Sequence, residues 1–308
     1  MRARIGKFAR KDKFVASRDR FPLTHPMRPA RALWGFLIFV FVGAALISPW
    51  IHHGLVAAGF TGIPFRRVVN RCLIGLALIG LWPFVKALGV RSRDELGLKK
   101  YPQLGRDLMR GLLIGSALLM LAAAVSLAVG ASHWVPRVGW GKQIGSAFAT
   151  AVTVAMLEEI LFRGAIMTAF TRISGAVAGI VVSSGLYGIL HFFGRPENPT
   201  VVDWKAGFVV LGRMFAGFTE FQQVVPGFFS LTLLGVILAL AFRRTGALIM
   251  SMGIHAGLVF WVKLFGFATD TTTNANTWFW GTEKLVDGWF SFVLLVIATA
   301  GFAVAKPK

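Results

Sequence analysis

The sequence predicts an all-α fold, a polytopic transmembrane helix bundle of about eight spans with both termini in the cytoplasm (N-in and C-in). Hydrophobic residues make up 56% of the 308 residues, and the mean hydropathy of +0.67 is too high for a soluble domain. Several apolar runs are about 20 residues long, enough to cross a bilayer as a helix. Basic residues cluster in the segments that this layout leaves inside.

The apolar runs give the individual spans. They are 32–51, 68–90, 108–130, 144–170, 176–193, 228–242, 246–265 and 289–305. Pro49 is predicted to lie near the end of the first span, and Pro83 to kink the second. The segment 194–227 is long for a loop and partly apolar. It is interpreted as an interfacial or re-entrant helix, or else as a short extra span.

The distribution of basic residues gives the orientation. With the N-terminus inside, the cytoplasmic segments hold ten, six, one, two and two Lys and Arg residues, together 21, against nine in the outer loops. This asymmetry favours the N-in, C-in arrangement. Arg66, Arg67 and Arg71 run against the rule, because they fall on the outer side.

The charge distribution and the cysteine content exclude several kinds of binding site and cross-link. The net charge of +20 lies mostly in the first 31 residues and beside apolar runs, which indicates contact with anionic lipids and no nucleic-acid binding. A single cysteine, Cys72, permits neither a disulfide within the chain nor a cysteine metal site. No cleaved signal peptide is recognised, and the Arg-, Ala- and Gly-rich composition points to a multi-pass protein of a bacterial inner membrane.

Three charged residues interrupt the apolar run 144–170, at Glu158, Glu159 and Arg163. A charge at the bilayer centre costs about 3 kcal/mol on insertion scales, so charged residues within a span indicate a functional role. In a helix, Glu159 and Arg163 lie about 40° apart and can form an ion pair. Glu158 projects about 100° away and is left free to act as a general base. The alternative is a packing ion pair beside a merely hydrogen-bonded Glu158.

Two of the six histidines, His191 and His255, lie within apolar spans. A hairpin at 174–175 would place Glu158 and His191 at the same height on antiparallel helices, each about 24 Å from the turn. His255 follows the turn at 245–246 by only about 15 Å, so it joins them only if the two earlier helices extend further. Histidine with carboxylate is a proton-transfer or zinc-ligand set, although each histidine alone is also compatible with a neutral imidazole bonded between helices.

These motifs, in this order, resemble the CPBP family. That family comprises Abi-like intramembrane CAAX-type prenyl endopeptidases and bacteriocin-processing or immunity proteins. The stretch from Thr232 to Ala256, with Arg243-Arg244-Thr245-Gly246 and Gly253-Ile254-His255, is similar to the family's third motif. The resemblance covers roughly residues 145–265.

The resemblance implies roles for the five residues. Glu158 would activate water for peptide-bond hydrolysis, and Glu159 and Arg163 would orient the site. His191 and His255 would stabilise the oxyanion or bind metal. The implied metal set is Glu158, His191 and His255 with zinc or another divalent ion, and there is no cofactor if the enzyme is a glutamate-type protease.

Two positions depart from the family pattern. Tyr187 stands four residues before His191, where the family usually has Phe. Val259 stands four residues after His255, where the family usually has Asn or Asp. Valine can neither donate to an oxyanion nor ligate a metal, and the loss of one oxyanion donor costs about 10²–10³ in rate. The departure places activity in doubt.

The chain is accordingly divided into four parts. A basic cytoplasmic segment (1–31) and N-terminal transmembrane helices (32–143) precede a CPBP-like catalytic core (144–265), and an outer loop with the last helix (266–308) follows. The predicted function is an intramembrane endopeptidase acting on a membrane-associated peptide or protein. The alternatives are a non-proteolytic CPBP-fold scaffold or immunity protein and a proton-coupled transporter, which the absence of an internal repeat disfavours.

Overall fold

The computed structural model describes residues 28–90, 92–194 and 196–304. Most of the predicted basic segment 1–31, up to residue 27, lies outside these residues, as does the basic tail 306–308. Within them all regular secondary structure is helical apart from one pair of short strands. The predicted all-α polytopic bundle is confirmed, whereas the N-in, C-in orientation stays a prediction.

Ten α-helices occur in the described residues. They are α1 Arg28–Ala57, α2 Phe65–Ala87, α3 Leu104–Ala128, α4 Trp140–Glu159, α5 Thr168–Leu190, α6 Ala206–Met214, α7 Phe221–Thr245, α8 Ile249–Ala268, α9 Thr277–Trp280 and α10 Trp289–Val304. A π-helical stretch, Ile160–Met167, joins α4 to α5, and a 3-10 turn, Phe215–Thr219, follows α6. Strand β1 (Ser132–Trp134) pairs antiparallel with β2 (Thr269–Thr271) and fastens the α3–α4 loop to the end of α8.

Six helical segments of the described chain are long and apolar enough to cross a membrane. One of them, Trp140–Leu190, contains both the fourth and the fifth predicted spans, because α4, the π-helical stretch and α5 follow one another without a loop. The eighth predicted span corresponds to α10, which is apolar but has only 16 residues.

Two predicted boundaries are wrong. Helix α1 does not end near Pro49 but continues through it to Ala57, and α7 begins at Phe221, with Pro226 inside it, and not at residue 228. A run of apolar residues shows where the side chains are hydrophobic, but a helix ends where its backbone hydrogen bonds end. Helix α1 therefore continues beyond its apolar run and includes the polar residues His52 and His53.

The segment 194–227 folds back on itself. Helix α6 has nine residues, or about 14 Å, which is too short for a hydrocarbon core of about 30 Å. The Gly194 N–H donates to the Met214 carbonyl at 2.8 Å, and the Phe193 and Phe215 rings pack with their centroids 5.1 Å apart. The segment therefore returns to the end of α5, and the alternative of an extra span is wrong.

Glycines allow α3 and α8 to pack in backbone contact. A Cβ atom placed on Gly253 would lie 2.5 Å from the Leu108 carbonyl oxygen, and one on Gly257 would lie 2.7 Å from that of Leu112. Gly111 and Gly115 of α3 face the backbone of α8 in the same way. Small residues four apart let transmembrane helices approach this closely. The packing fixes the part of α8 that carries His255.

Candidate active site

The chain reverses direction between Glu158 and His191. Gly175 has φ 87° and ψ 169°, a conformation that glycine adopts readily, and it breaks the helix there. Along one straight helix the two residues would be about 50 Å apart. Instead, Nε2 of His191 lies 3.9 Å from Oε2 of Glu158. The predicted hairpin and the matching heights are confirmed.

Helix α8 begins level with the π-helical stretch and not with the turn at Gly175. A Cβ atom on Gly164 would touch the Leu248 side chain at 3.5 Å. From that level, Glu158 and His255 are six and seven residues away, or about 10 Å on either helix. For His255 to reach Glu158, the sequence required the two earlier helices to extend beyond the start of α8. The structure shows that they do.

The π-helical stretch begins directly after the two glutamates. π-Helical turns are rare and frequently occur at functional sites. This one carries Arg163, whose side chain is 0% exposed. The sequence offered no signal for it, because hydrophobic periodicity does not separate a short π-helix from an α-helix.

Glu159, Arg163 and Nδ1 of His255 form a buried layer. Oε1 of Glu159 accepts from Nη1 of Arg163 at 2.8 Å and from Nδ1 of His255 at 3.0 Å. Nη2 of Arg163 donates to the Gly235 carbonyl of α7 at 3.2 Å. The guanidinium also lies over the Tyr187 ring, 4.7 Å from its centre. The predicted Glu159–Arg163 ion pair is present, and it joins α4, the π-helical stretch, α7 and α8.

Glu158 belongs to a more open layer. Its side chain is 27% exposed and that of His191 is 31% exposed. Oε2 of Glu158 lies 3.7 Å from Nε2 of His255 and 3.9 Å from Nε2 of His191, too far for direct hydrogen bonds. This oxygen is buried and has no hydrogen-bond partner among the described residues. Glu158 thus lies outside the Glu159–Arg163 ion pair, as the helical spacing predicted.

Backbone and carboxylate acceptors fix the proton of both imidazoles. Nδ1 of His191 lies 2.7 Å from the Tyr187 carbonyl, and Nδ1 of His255 is bonded to Glu159. Carbonyl and carboxylate oxygens only accept, so in each ring Nδ1 carries the proton and a neutral ring has a lone pair on Nε2. Both Nε2 atoms and Oε2 of Glu158 are then acceptors that face one another. Such a set requires a shared donor or a cation between its members.

Tyr187 is the residue whose contribution sequence reasoning underestimated. Its carbonyl orients His191, its ring lies under Arg163, and its hydroxyl is 3.5 Å from Nε2 of His255. The available signal was the tyrosine in place of the family's phenylalanine. The spacing could not show that its hydroxyl reaches the second histidine, 68 residues further along the chain.

A cavity of about 400 Å³ adjoins the open layer. It is lined by Glu158, Leu161, Phe162, Leu190 and His191. The lining combines the unpaired carboxylate and one imidazole with three apolar side chains. Glu158 and His191 therefore border a cavity that is otherwise lined by apolar side chains.

The predicted metal set has suitable ligand types, and the metal itself stays a prediction. Two histidines and one glutamate occur in catalytic zinc sites. Among the described residues, however, no three His, Cys, Asp or Glu side chains form a group that could hold a metal ion. The separations of 3.7 and 3.9 Å from Glu158 are better suited to an intervening water molecule.

The position of Val259 supplies no polar group. Val259 is half-buried on α8, one turn beyond His255. Its side chain therefore offers neither a hydrogen-bond donor nor a metal ligand at the place where the family pattern has a polar residue.

Comparison with known proteins gives one match. A family profile described as Type II CAAX prenyl endopeptidase Rce1-like matches residues 140–261, or 122 of the 308 residues. The matched region contains all five predicted site residues. No curated protein and no solved structure matches the chain.

Proposed function

Residues 140–261 belong to the family of Rce1-like type II CAAX prenyl endopeptidases, a family of intramembrane proteases, and from that premise we propose that Glu158 activates water for peptide hydrolysis. The observation that carries the proposal is the set of facing acceptors. Oε2 of Glu158 has no hydrogen-bond partner among the described residues, and two imidazole Nε2 atoms lie within 4 Å of it. A water molecule between them donates its two protons to two of these acceptors, and the Tyr187 hydroxyl, 3.5 Å from Nε2 of His255, is a donor for the third.

The reaction follows from the acid–base chemistry of these groups. Glu158 removes a proton from water, and the water oxygen attacks the carbonyl carbon of the scissile peptide bond. The carbonyl oxygen becomes an oxyanion, and the Tyr187 hydroxyl stabilises it by donating to it. His191 or His255 donates to it only as an imidazolium, which has taken up a second proton on Nε2 from solvent before the reaction. The C–N bond then breaks, and the proton held by Glu158 passes to the leaving amine.

The buried layer holds this machinery in position. Glu159 fixes the ring of His255 through Nδ1, and Arg163 neutralises Glu159 and binds α7 through the Gly235 carbonyl. We assign both to positioning. In this mechanism their effect on the reaction passes through His255.

The substrate class that fits is a membrane-associated peptide or protein. The cavity beside Glu158 offers Leu161, Phe162 and Leu190 to it. Apolar lining beside a carboxylate suits an extended peptide with apolar side chains near the membrane surface. Burial of such side chains contributes about 25 cal/mol per Å² to binding.

A direct test compares the purified protein with its Glu158→Gln variant on a library of membrane peptides, with cleavage read by mass spectrometry. The amide keeps the size of the carboxylate but cannot accept the proton, so we expect cleavage by the wild type alone. Matched thermal unfolding in detergent shows that the variant is folded. Equal cleavage by both proteins would overturn the role of Glu158.

A chelator arm of the same experiment separates the glutamate-type from the metal-dependent reaction. We expect cleavage to continue after chelation and dialysis. Loss of cleavage with recovery on adding zinc would instead assign Glu158, His191 and His255 to a metal.

Val259 favours a second candidate function, a non-proteolytic membrane scaffold or immunity protein of the same fold. The family's polar residue is absent at this position, and a site that lacks an oxyanion donor could still bind peptide. The library experiment distinguishes the two. Retention of peptides without cleavage by both wild type and Glu158→Gln would support the binding function.

A further inference from the structure

A second cavity, of about 460 Å³, lies between α1 and α2 and away from the candidate active site. We call it the α1–α2 groove. Its lining is almost wholly apolar, with Ile47, Ile51 and Leu55 from α1 and Leu76 and Ile79 from α2. Several of these side chains are exposed, Ile79 to 66%. The groove is therefore open along its length and is not a void in the core.

The length of the groove matches one leaflet of a bilayer. On α2 its lining runs from Arg67 to Ile79, which is thirteen residues and about 18 Å along the helix. Half of a typical hydrocarbon core is about 15 Å thick. A single extended acyl chain has the shape that fills such a groove.

Positive charge stands at one end only. Arg67 and Arg71 are the charged residues among those that line the groove, and they lie four apart on one face of α2. Both are exposed, and neither forms an ion pair with a described acidic residue. Like charges at this spacing repel unless an anion lies between them. Guanidinium groups bind phosphate through paired hydrogen bonds.

We propose that the α1–α2 groove is a binding site for an anionic phospholipid, with one acyl chain in the groove and the headgroup phosphate against Arg67 and Arg71. The occupant is fixed by the combination of an apolar channel one leaflet long and two uncompensated cations at its mouth. The site also gives these arginines a role on the side of the membrane where the predicted orientation disfavours them.

The arginine end of the groove is fixed by hydrogen bonds to the chain that follows α5. The Arg66 N–H donates to the Asn198 side chain at 3.0 Å, and the ring of His53 bonds the Val202 carbonyl at 3.0 Å. The chain that follows α5 therefore packs against this end of α1 and α2. Arg66 itself does not line the groove, which makes it a matched control for its two neighbours.

The test measures binding of phosphatidylglycerol and of phosphatidylcholine with identical acyl chains to the purified, delipidated protein by native mass spectrometry. We expect the wild type to bind phosphatidylglycerol at least tenfold more tightly. The double variant Arg67→Gln/Arg71→Gln should lose this preference, and Arg66→Gln should keep it. Equal binding of the two lipids by the wild type, or equal loss in Arg66→Gln, would overturn the site.

A second variant tests the acyl part with both arginines in place. Gly75 lines the groove, and a Cβ atom there would meet no atom within 4 Å, so Gly75→Leu is the substitution chosen to fill the groove. We expect phosphatidylglycerol binding to fall about tenfold, with thermal unfolding in detergent unchanged. Unaltered lipid binding by this variant would show that the headgroup binds at the surface and that the groove is not the site.

Discussion

The two layers of the candidate site both contain glutamate and histidine, but one layer is buried and the other is partly exposed. Glu159 is 0% exposed, carries an ion pair and an imidazole on one oxygen, and binds three other helical segments together through Arg163 and His255. Glu158, its neighbour in sequence, is 27% exposed and faces a cavity. Each of the two carboxylates has an Oε2 atom without a hydrogen-bond partner among the described residues, so exposure and the cavity are what distinguish them. Adjacent positions on one helix thus place one carboxylate in a buried ion pair and the other beside a cavity.

The physical reason for the difference is the cost of charge burial. An ionised carboxylate in an apolar interior must be paired and hydrogen-bonded, so Glu159 can exist there only with Arg163. A carboxylate that is to accept a proton must have a free oxygen that water can reach. The helical angle between neighbouring residues allows one element to present both.

The largest effect is expected from Arg163→Met, which leaves Glu159 buried without its cation. Removing one partner of a buried ion pair costs about 3–5 kcal/mol, so the variant should lose most of its stability and its activity. The midpoint of unfolding in detergent measures this. The double variant Glu159→Gln/Arg163→Met should recover part of the loss, because no uncompensated charge remains.

Arg137→Met is the matched control for Arg163→Met. Arg137 pairs with Asp270 at the same 2.8 Å, but the two side chains are 39% and 54% exposed. An exposed pair contributes about 1 kcal/mol or less. Equal destabilisation by Arg137→Met and Arg163→Met would contradict the division into a buried structural layer and an open reactive one.

Substituting the two histidines should also distinguish the two layers, with smaller effects than those of Arg163→Met. His191→Gln is expected to lower the cleavage rate by about 10² without changing stability, because His191 contacts only the open layer and its own helix. His255→Gln should lower the rate and also the unfolding midpoint, because its Nδ1 belongs to the buried layer. Initial cleavage rates and unfolding curves of both variants test this. Identical stability losses in the two variants would remove the distinction.

The smallest effect is expected from Val259→Asn, which restores the polar residue of the family pattern. The amide adds a donor one turn from His255, and we expect the cleavage rate to rise about tenfold. This is less than the 10²–10³ of a preorganised oxyanion donor, because the surrounding side chains were not selected to orient it. Val259→Leu, which adds no donor, is the control and should leave the rate unchanged. A rise with leucine, or none with asparagine, would show that the missing donor is not at this position.

The membrane fold, the unusual charges within it and the hairpin at Gly175 could all be predicted from the sequence. Each depends on local spacing. A run of apolar residues reports a span, and the interval between Glu159 and Arg163 reports an ion pair. Equal distances from a glycine turn report that Glu158 and His191 face each other. The family match across residues 140–261 supports the same reading of the motifs.

The orientation of each catalytic candidate was decided by tertiary structure alone. The bonds from Arg163 to Gly235 and from His255 to Glu159 join residues 72 and 96 positions apart, and no periodicity encodes such partners. The π-helical stretch, the level at which α8 begins and the reach of the Tyr187 hydroxyl likewise follow from packing. The sequence by itself determined which polar groups enter the membrane core. Helix packing determined that Glu159 is bonded to Arg163 and His255 in the interior, whereas Glu158 lies beside a cavity.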